Sequence, residues 1–188
     1  MVNEELLEQT EAGEYGLRQV DVRLKLREGP TYYSSEPMTS PAAAVRVMGD
    51  ILKDVDREWL CVINLDIKYK PINFNVVSIG GISESIAPVQ NIFKSSILSN
   101  AAGIMLLHTH PSGNVEPSRQ DLEITKKLVQ AGKLMEIPLV DHVIIGCGTG
   151  DLYSFHSEDP EMFSGPYDSK YIDGILKKGQ KPKTRNER

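Results

Sequence analysis

The chain has 188 residues, of which 40% are hydrophobic and 25% charged, and its formal net charge is −5. That is long enough for one domain with a real core and short for two, in an ordinary globular composition. No run approaches the roughly eighteen apolar residues of a membrane helix, the acidic N-terminus lacks the apolar stretch of a secretory signal, and the negative charge argues against a surface built mainly for polyanions; a cytoplasmic protein is expected.

Residues 1–15 read as a frayed helix or tail. In LRQVDVRLKL (17–26) apolar and polar side chains alternate, the pattern of a half-buried strand. After a loop, Ser40-Pro41 opens a helix, with Ser as N-cap and Pro at the first helical position. Val45, Met48 and Leu52 then share one face of AAAVRVMGDIL. EWLCVINLD (58–66) and PINFNVVSIG (71–80) are strands, and the short IKYK link makes them an antiparallel hairpin. Residues 87–103 carry Val89, Ile92, Phe93 and Ile97 at helical spacing, with Gly103 near the end. IMLLHTH (104–110) is an apolar run of strand length, expected to be buried on both faces. SRQDLEITKKLVQAGKLMEI (118–137) is an amphipathic helix. PLVDHVIIGCG and DLYSF are two final strands joined by GTG.

From about residue 157 proline, glycine and charge dominate. The expected organisation is an N-terminal extension with a first strand (1–40), one domain (41–156), and a partly disordered C-terminal extension (157–188). Hairpin strands mixed with strands reached through helices define an α/β domain, one mixed β-sheet flanked by α-helices. Cys61 and Cys147 lie in apolar stretches without partner spacing and read as buried thiols of a reducing compartment. The ending KKGQKPKTRNER sets six basic residues against Glu187. It reads as a solvated tail, and a nucleic-acid role is the weaker reading because no aromatic residues interleave the charges.

The stretch LLHTHPSGNVEPSRQD (106–121) carries the chemistry. On a strand, residues i and i+2 face the same way, so His108 and His110 project side by side. They sit at the strand's C-terminal end, where sheets flanked by helices place their ligand crevice. The turn PSGNVEP leads into a helix whose start brings Asp121 back over both histidines. Two imidazoles and a carboxylate leave one tetrahedral position open, the arrangement of a catalytic zinc site. Ser118 to Asp121 also fits a capping box, which explains those two residues as a helix start but leaves two adjacent histidines unexplained. Burying both imidazoles without partners is costly, so a shared metal is the better account. A ligand Asp121 is expected to give up its full reach back to the Ser118 N–H. An iron oxygenase site uses the same ligand types, whereas an HExxH helix is absent. His142, in an apolar strand, reads as a satisfied core histidine or one supporting the ligands. His156 reads as exposed, and Trp59 as core or pocket wall.

HTHP, with Ser118 eight residues after His110 and Asp121 three after that, resembles the JAMM motif of the JAB/MPN metallopeptidases. With LVDHVIIG downstream, the wording resembles the RadC branch in particular, over about residues 41–155. The resemblance implies a mixed sheet between helices similar to the cytidine-deaminase architecture. It also implies Zn2+ on His108, His110 and Asp121, and hydrolysis of a peptide or isopeptide bond in a protein or peptide substrate. The family's general base is a Glu on the strand after the first helix, which corresponds to Glu58; taken alone, Glu58 reads as a surface residue at a strand start. Glu84 in ISESIAP is the runner-up base, in a loop. Ser118 is then the donor to the tetrahedral oxyanion, alongside the metal. The alternative is a DNA-repair-associated or non-catalytic metal-binding module whose basic tail touches nucleic acid. A two-metal nuclease would need a second carboxylate cluster that the sequence does not offer.

Overall fold

A computed structural model of the protein describes residues 40–52, 54–80 and 88–166, together with Gly29 and Pro37. The strand expected over 17–26, Glu84 and the basic stretch 177–188 lie outside the described residues.

Helix α1 (Pro41–Leu52) starts as its sequence dictates: the Ser40 hydroxyl accepts the Ala43 N–H at 3.2 Å. Its buried stripe runs Ala44, Met48, Leu52, one helical turn apart, with Val45 half-buried beside it. β1 (Trp59–Leu65) and β2 (Pro71–Ile79) form the expected antiparallel hairpin. Asp66 closes its turn, accepting the Lys68 and Lys70 N–H groups at 2.7 and 2.9 Å on one carboxylate oxygen.

Helix α2 (Val89–Leu98) leads into β3 (Gly103–His110), and α3 (Arg119–Leu134) crosses over to β4 (Leu139–Gly146). β3 pairs with β1 antiparallel and with β4 parallel, and β5 (Leu152–Ser154) adds antiparallel to β4. The order β2-β1-β3-β4-β5 is a mixed sheet with helices on both faces. Alternation along the strands divides the core in two. Cys61, Ile63, Met105 and Leu107 pack under α1. Leu60, Val62, Ile104 and Leu106 pack under α2 and α3 with Ile92, Phe93 and Leu128. β3 is buried on both faces up to Thr109, as its apolar run requires.

One expectation is corrected. Ile97 is 56% exposed, and Ser96 takes the buried place in α2. The inward stripe is therefore 89-92-93-96, and Ile97 falls one step off it. Regular structure also continues past residue 157: Phe155 is buried at the start of α4 (Phe155–Glu158), and α5 (Glu161–Ser164) follows. The chain leaving β5 is captured in a turn, because the Ser154 hydroxyl accepts the Ser157 N–H at 3.0 Å. Asp141 accepts the His156 N–H at 2.9 Å. Met162 and Phe163 then pack against the α2–α3 side of the core, and Lys133 Nζ donates to the Gly165 carbonyl.

Candidate metal centre

Even-numbered residues of β3 face α2 and α3, so His108 and His110 stand on that side, their ring centroids 4.7 Å apart and edge to face. The chain then turns sharply at the end of β3. Gly113 (φ 79°) and Cys147 both donate backbone N–H groups to the His110 carbonyl at 3.0 Å. The turn lies so close to β4 that a Cβ on Gly146 would stand 2.5 Å from the Gly113 carbonyl oxygen, so glycine is required there. The His110 Nδ1 lies 2.6 Å from the Asn114 carbonyl, which can only accept. Nδ1 therefore carries the proton, and Nε2 keeps its lone pair for a ligand.

Asp121 arrives in the first turn of α3, 1% exposed. Its Oδ2 accepts from the Ser118 N–H at 2.8 Å and the Ser118 hydroxyl at 2.5 Å, while its own N–H donates to Ser118 Oγ at 3.2 Å. The capping box is therefore complete. The cap engages one carboxylate oxygen and leaves the other out of it. Oδ1 is left over, 3.1 Å from His108 Nδ1, while Oδ2 lies 3.8 Å from His110 Nε2. Burial pushes the Asp121 carboxyl up, but His108 first and Ser118 next outweigh it and hold the group well below the usual carboxylate range.

Glu58 sits just before β1, its side chain 35% exposed and Oε2 3.8 Å from His108 Nε2. Glu58, His108 and His110 each place a ligand atom within 4.8 Å of the others. The four groups line a polar cleft of about 540 Å³ whose rim includes Arg57, Ser112, Glu116 and Gln120.

These residues suit a divalent cation. Both His108 ring nitrogens and Asp121 Oδ1 are buried without a hydrogen-bond partner. Such atoms are costly unless something satisfies them, and a cation can satisfy the Asp121 oxygen together with one of the two His108 nitrogens. Two ligands about 2.0–2.1 Å from a tetrahedral zinc stand about 3.3 Å apart, close to the 3.1 Å separating His108 Nδ1 from Asp121 Oδ1.

His142 lies beneath this group but outside it. Thr125 Oγ1 reaches the Asp121 carbonyl at 2.5 Å and His142 Nδ1 at 2.7 Å. The carbonyl only accepts, so the hydroxyl donates to it and accepts from His142 Nδ1–H. Burial, then His108, holds the His142 imidazole down to about 3. The ring stacks on Phe155, 4.7 Å between centroids. Trp59 packs against the core beneath α1, and the exposed His156 rests its ring near Phe163. Thr125 and the Asn114 carbonyl were not foreseeable, since a threonine inside a helix and a backbone oxygen in a turn carry no chemical signature of their own.

A buried His-x-His at the end of a central strand, with carboxylates from two neighbouring elements, defines an α/β domain with a candidate metal site. The family model described as RadC-like JAB domain matches residues 38–160, and the chain belongs to that family. It is 40% identical over 113 residues to a UPF0758 protein of Caldanaerobacter subterraneus, a match covering 60% of this chain and 48% of the relative. A UPF0758 protein of Salinibacter ruber is 44% identical over 108 residues, covering 57% and 46%. One from Thermosynechococcus vestitus is 36% identical over 137 residues, covering 70% and 54%. The chain thus spans about half the length of these curated relatives.

Proposed function

We propose that this protein is a zinc-dependent hydrolase of peptide or isopeptide bonds, with His108, His110 and Asp121 as the metal ligands and Glu58 as general base. One observation carries the reading. The buried Asp121 Oδ1, left over by the helix cap, faces a His108 nitrogen without any other partner at 3.1 Å, beside a polar cleft of about 540 Å³.

Zinc held there supplies Lewis acidity, bringing the pKa of a water toward about 7 and polarising a substrate carbonyl. Glu58, in the cleft wall, accepts the proton of the attacking water and passes it to the leaving amine. Ser118 offers its hydroxyl to the developing oxyanion. To do so it turns away from Asp121 Oδ2, which keeps the Ser118 N–H as its second donor. Asp121 is the better third ligand because its bare oxygen is cut off from water, whereas Glu58 can be hydrated. Protein or peptide chains are the substrates, and a cytoplasmic setting fits a domain in which no described helix is long and apolar enough to cross a membrane.

A second reading has an observation of its own. Glu58 lies within reach of both histidines, so it could be the third ligand while Asp121 orients His108 through Nδ1. The Glu58→Gln variant separates the two. Purified without chelator and offered a peptide and isopeptide library, it should keep its metal and lose hydrolysis. Loss of the metal would favour the second reading, and turnover at the wild-type rate would remove Glu58 from the mechanism. Salt-dependent DNA binding that disappears on deleting residues 177–188, with no hydrolysis by the wild type, would instead favour the non-catalytic module.

A further inference from the structure

We propose that Thr109, the residue between the two histidines, is the positioning residue for Glu58. The inference rests on the reading of Glu58 as general base. Thr109 is fully buried on the face of β3 opposite the histidines. Its Oγ1 accepts the Trp59 N–H at 2.8 Å and donates to the Arg57 carbonyl at 3.4 Å. One hydroxyl therefore grips the backbone immediately before and immediately after Glu58.

The grip falls just past the end of the β1–β3 ladder. The last paired residues of β1 and β3 are Leu60 and His108. Beyond them the Trp59 N–H goes to a side chain instead of a backbone carbonyl. On the other side, the Glu58 carbonyl accepts the Gly80 N–H at 2.7 Å. Glu58 is thus held from both neighbouring strands without being part of the β1–β3 ladder, and its carboxylate stands 3.8 Å from His108 Nε2. Residues at such an element end fray readily unless something ties them down. The tie must donate and accept through one atom, which a hydroxyl does and a methyl group cannot. The same residue that separates the two histidines therefore sets the distance between them and the base.

Thr109→Val keeps the shape and removes the hydroxyl, while Thr109→Ser keeps the hydroxyl. Zinc content, backbone amide exchange at Trp59, and kcat and KM against a peptide substrate are measured on both. Thr109→Val should bind zinc as wild type does, exchange the Trp59 amide about fivefold faster, and lose about a hundredfold in kcat with little change in KM. Thr109→Ser should restore exchange and kcat. In a Glu58→Gln background, Thr109→Val should still speed exchange and cost no further turnover. Unchanged Trp59 exchange in Thr109→Val, failure of Thr109→Ser to rescue, or loss of zinc in Thr109→Val would each overturn the proposal. Full activity of Glu58→Gln would defeat the base assignment instead, with the exchange result still standing on its own.

Discussion

Asp121 and Asp141 are aspartates of nearly equal burial, 1% and 3% exposed, and each lies near a buried histidine. Asp141 has everything it needs. Its Oδ2 accepts the Ser154 hydroxyl at 2.7 Å and its Oδ1 the His156 N–H at 2.9 Å. Burial pushes its carboxyl up, and the Ser154 hydroxyl and neighbouring N–H groups only partly offset that. Asp121 is held low in spite of burial, first by His108, whose Nδ1 stands 3.1 Å from its Oδ1, and next by Ser118. The histidines differ in the same way. His142 gives its Nδ1 to Thr125 and leaves only Nε2 without a partner, whereas neither nitrogen of His108 has a hydrogen bond. Burial and residue type therefore do not separate a candidate metal ligand from a structural polar residue. What separates them is a buried carboxylate oxygen that meets a histidine nitrogen, itself without any other partner, instead of a hydroxyl or a backbone N–H.

The largest expected effect breaks the comparison open. At a free zinc concentration a thousand times the Kd, the wild type should gain about 4 kcal/mol of stability by mass action on the folded state. Asp121→Ala should gain little, while its helix-start loss of about 0.5–2 kcal/mol is the same with zinc or with chelator. Thermal unfolding of both proteins under both conditions reads this out. Equal zinc-dependent rises would make Asp121 an ordinary cap.

Asp141→Ala should do the opposite. Stranding the Ser154 hydroxyl and the His156 N–H costs about 1–3 kcal/mol, and the gain on adding zinc stays that of the wild type. If the gain collapsed, Asp141 would belong to the site and the contrast between the two residues would fail.

The smallest effect sharpens the contrast through pH. A carboxyl raised above its unfolded pKa of about 3.9 binds its proton more tightly in the native state. Its contribution then favours folding below that value and is lost as pH rises through the native pKa. Asp141→Asn removes this loss, so its stability relative to the wild type should rise from pH 4 upward and then level off. Urea unfolding across that range gives the sign, and a relative fall with rising pH would contradict the assignment.

How much of this was legible in the sequence depends on the range of each interaction. The side-by-side projection of His108 and His110 followed from strand parity, and the Ser118–Asp121 cap from local spacing, because both are fixed within a few residues. The hairpin and the helix between the parallel strands were legible for the same reason. That one carboxylate could cap and stay open at once was not, since it depends on which oxygen faces which neighbour. Helical spacing alone favours Ile97 as an inward residue, but tertiary packing puts Ser96 there. The short helices after Ser154 were hidden among charged and small residues, their start set by Asp141 from another strand. Thr109 carries no signal of its role in the sequence, because its partners lie about fifty positions away in the chain.

The central claim is that His108, His110 and Asp121 together hold one zinc. Metal analysis of protein purified without chelator tests it most directly, on the wild type beside Asp121→Ala and Asp141→Ala. About one zinc per chain is expected for the wild type and for Asp141→Ala, and close to none for Asp121→Ala. A wild type without metal, or an Asp121→Ala protein that retains its full complement, would contradict it.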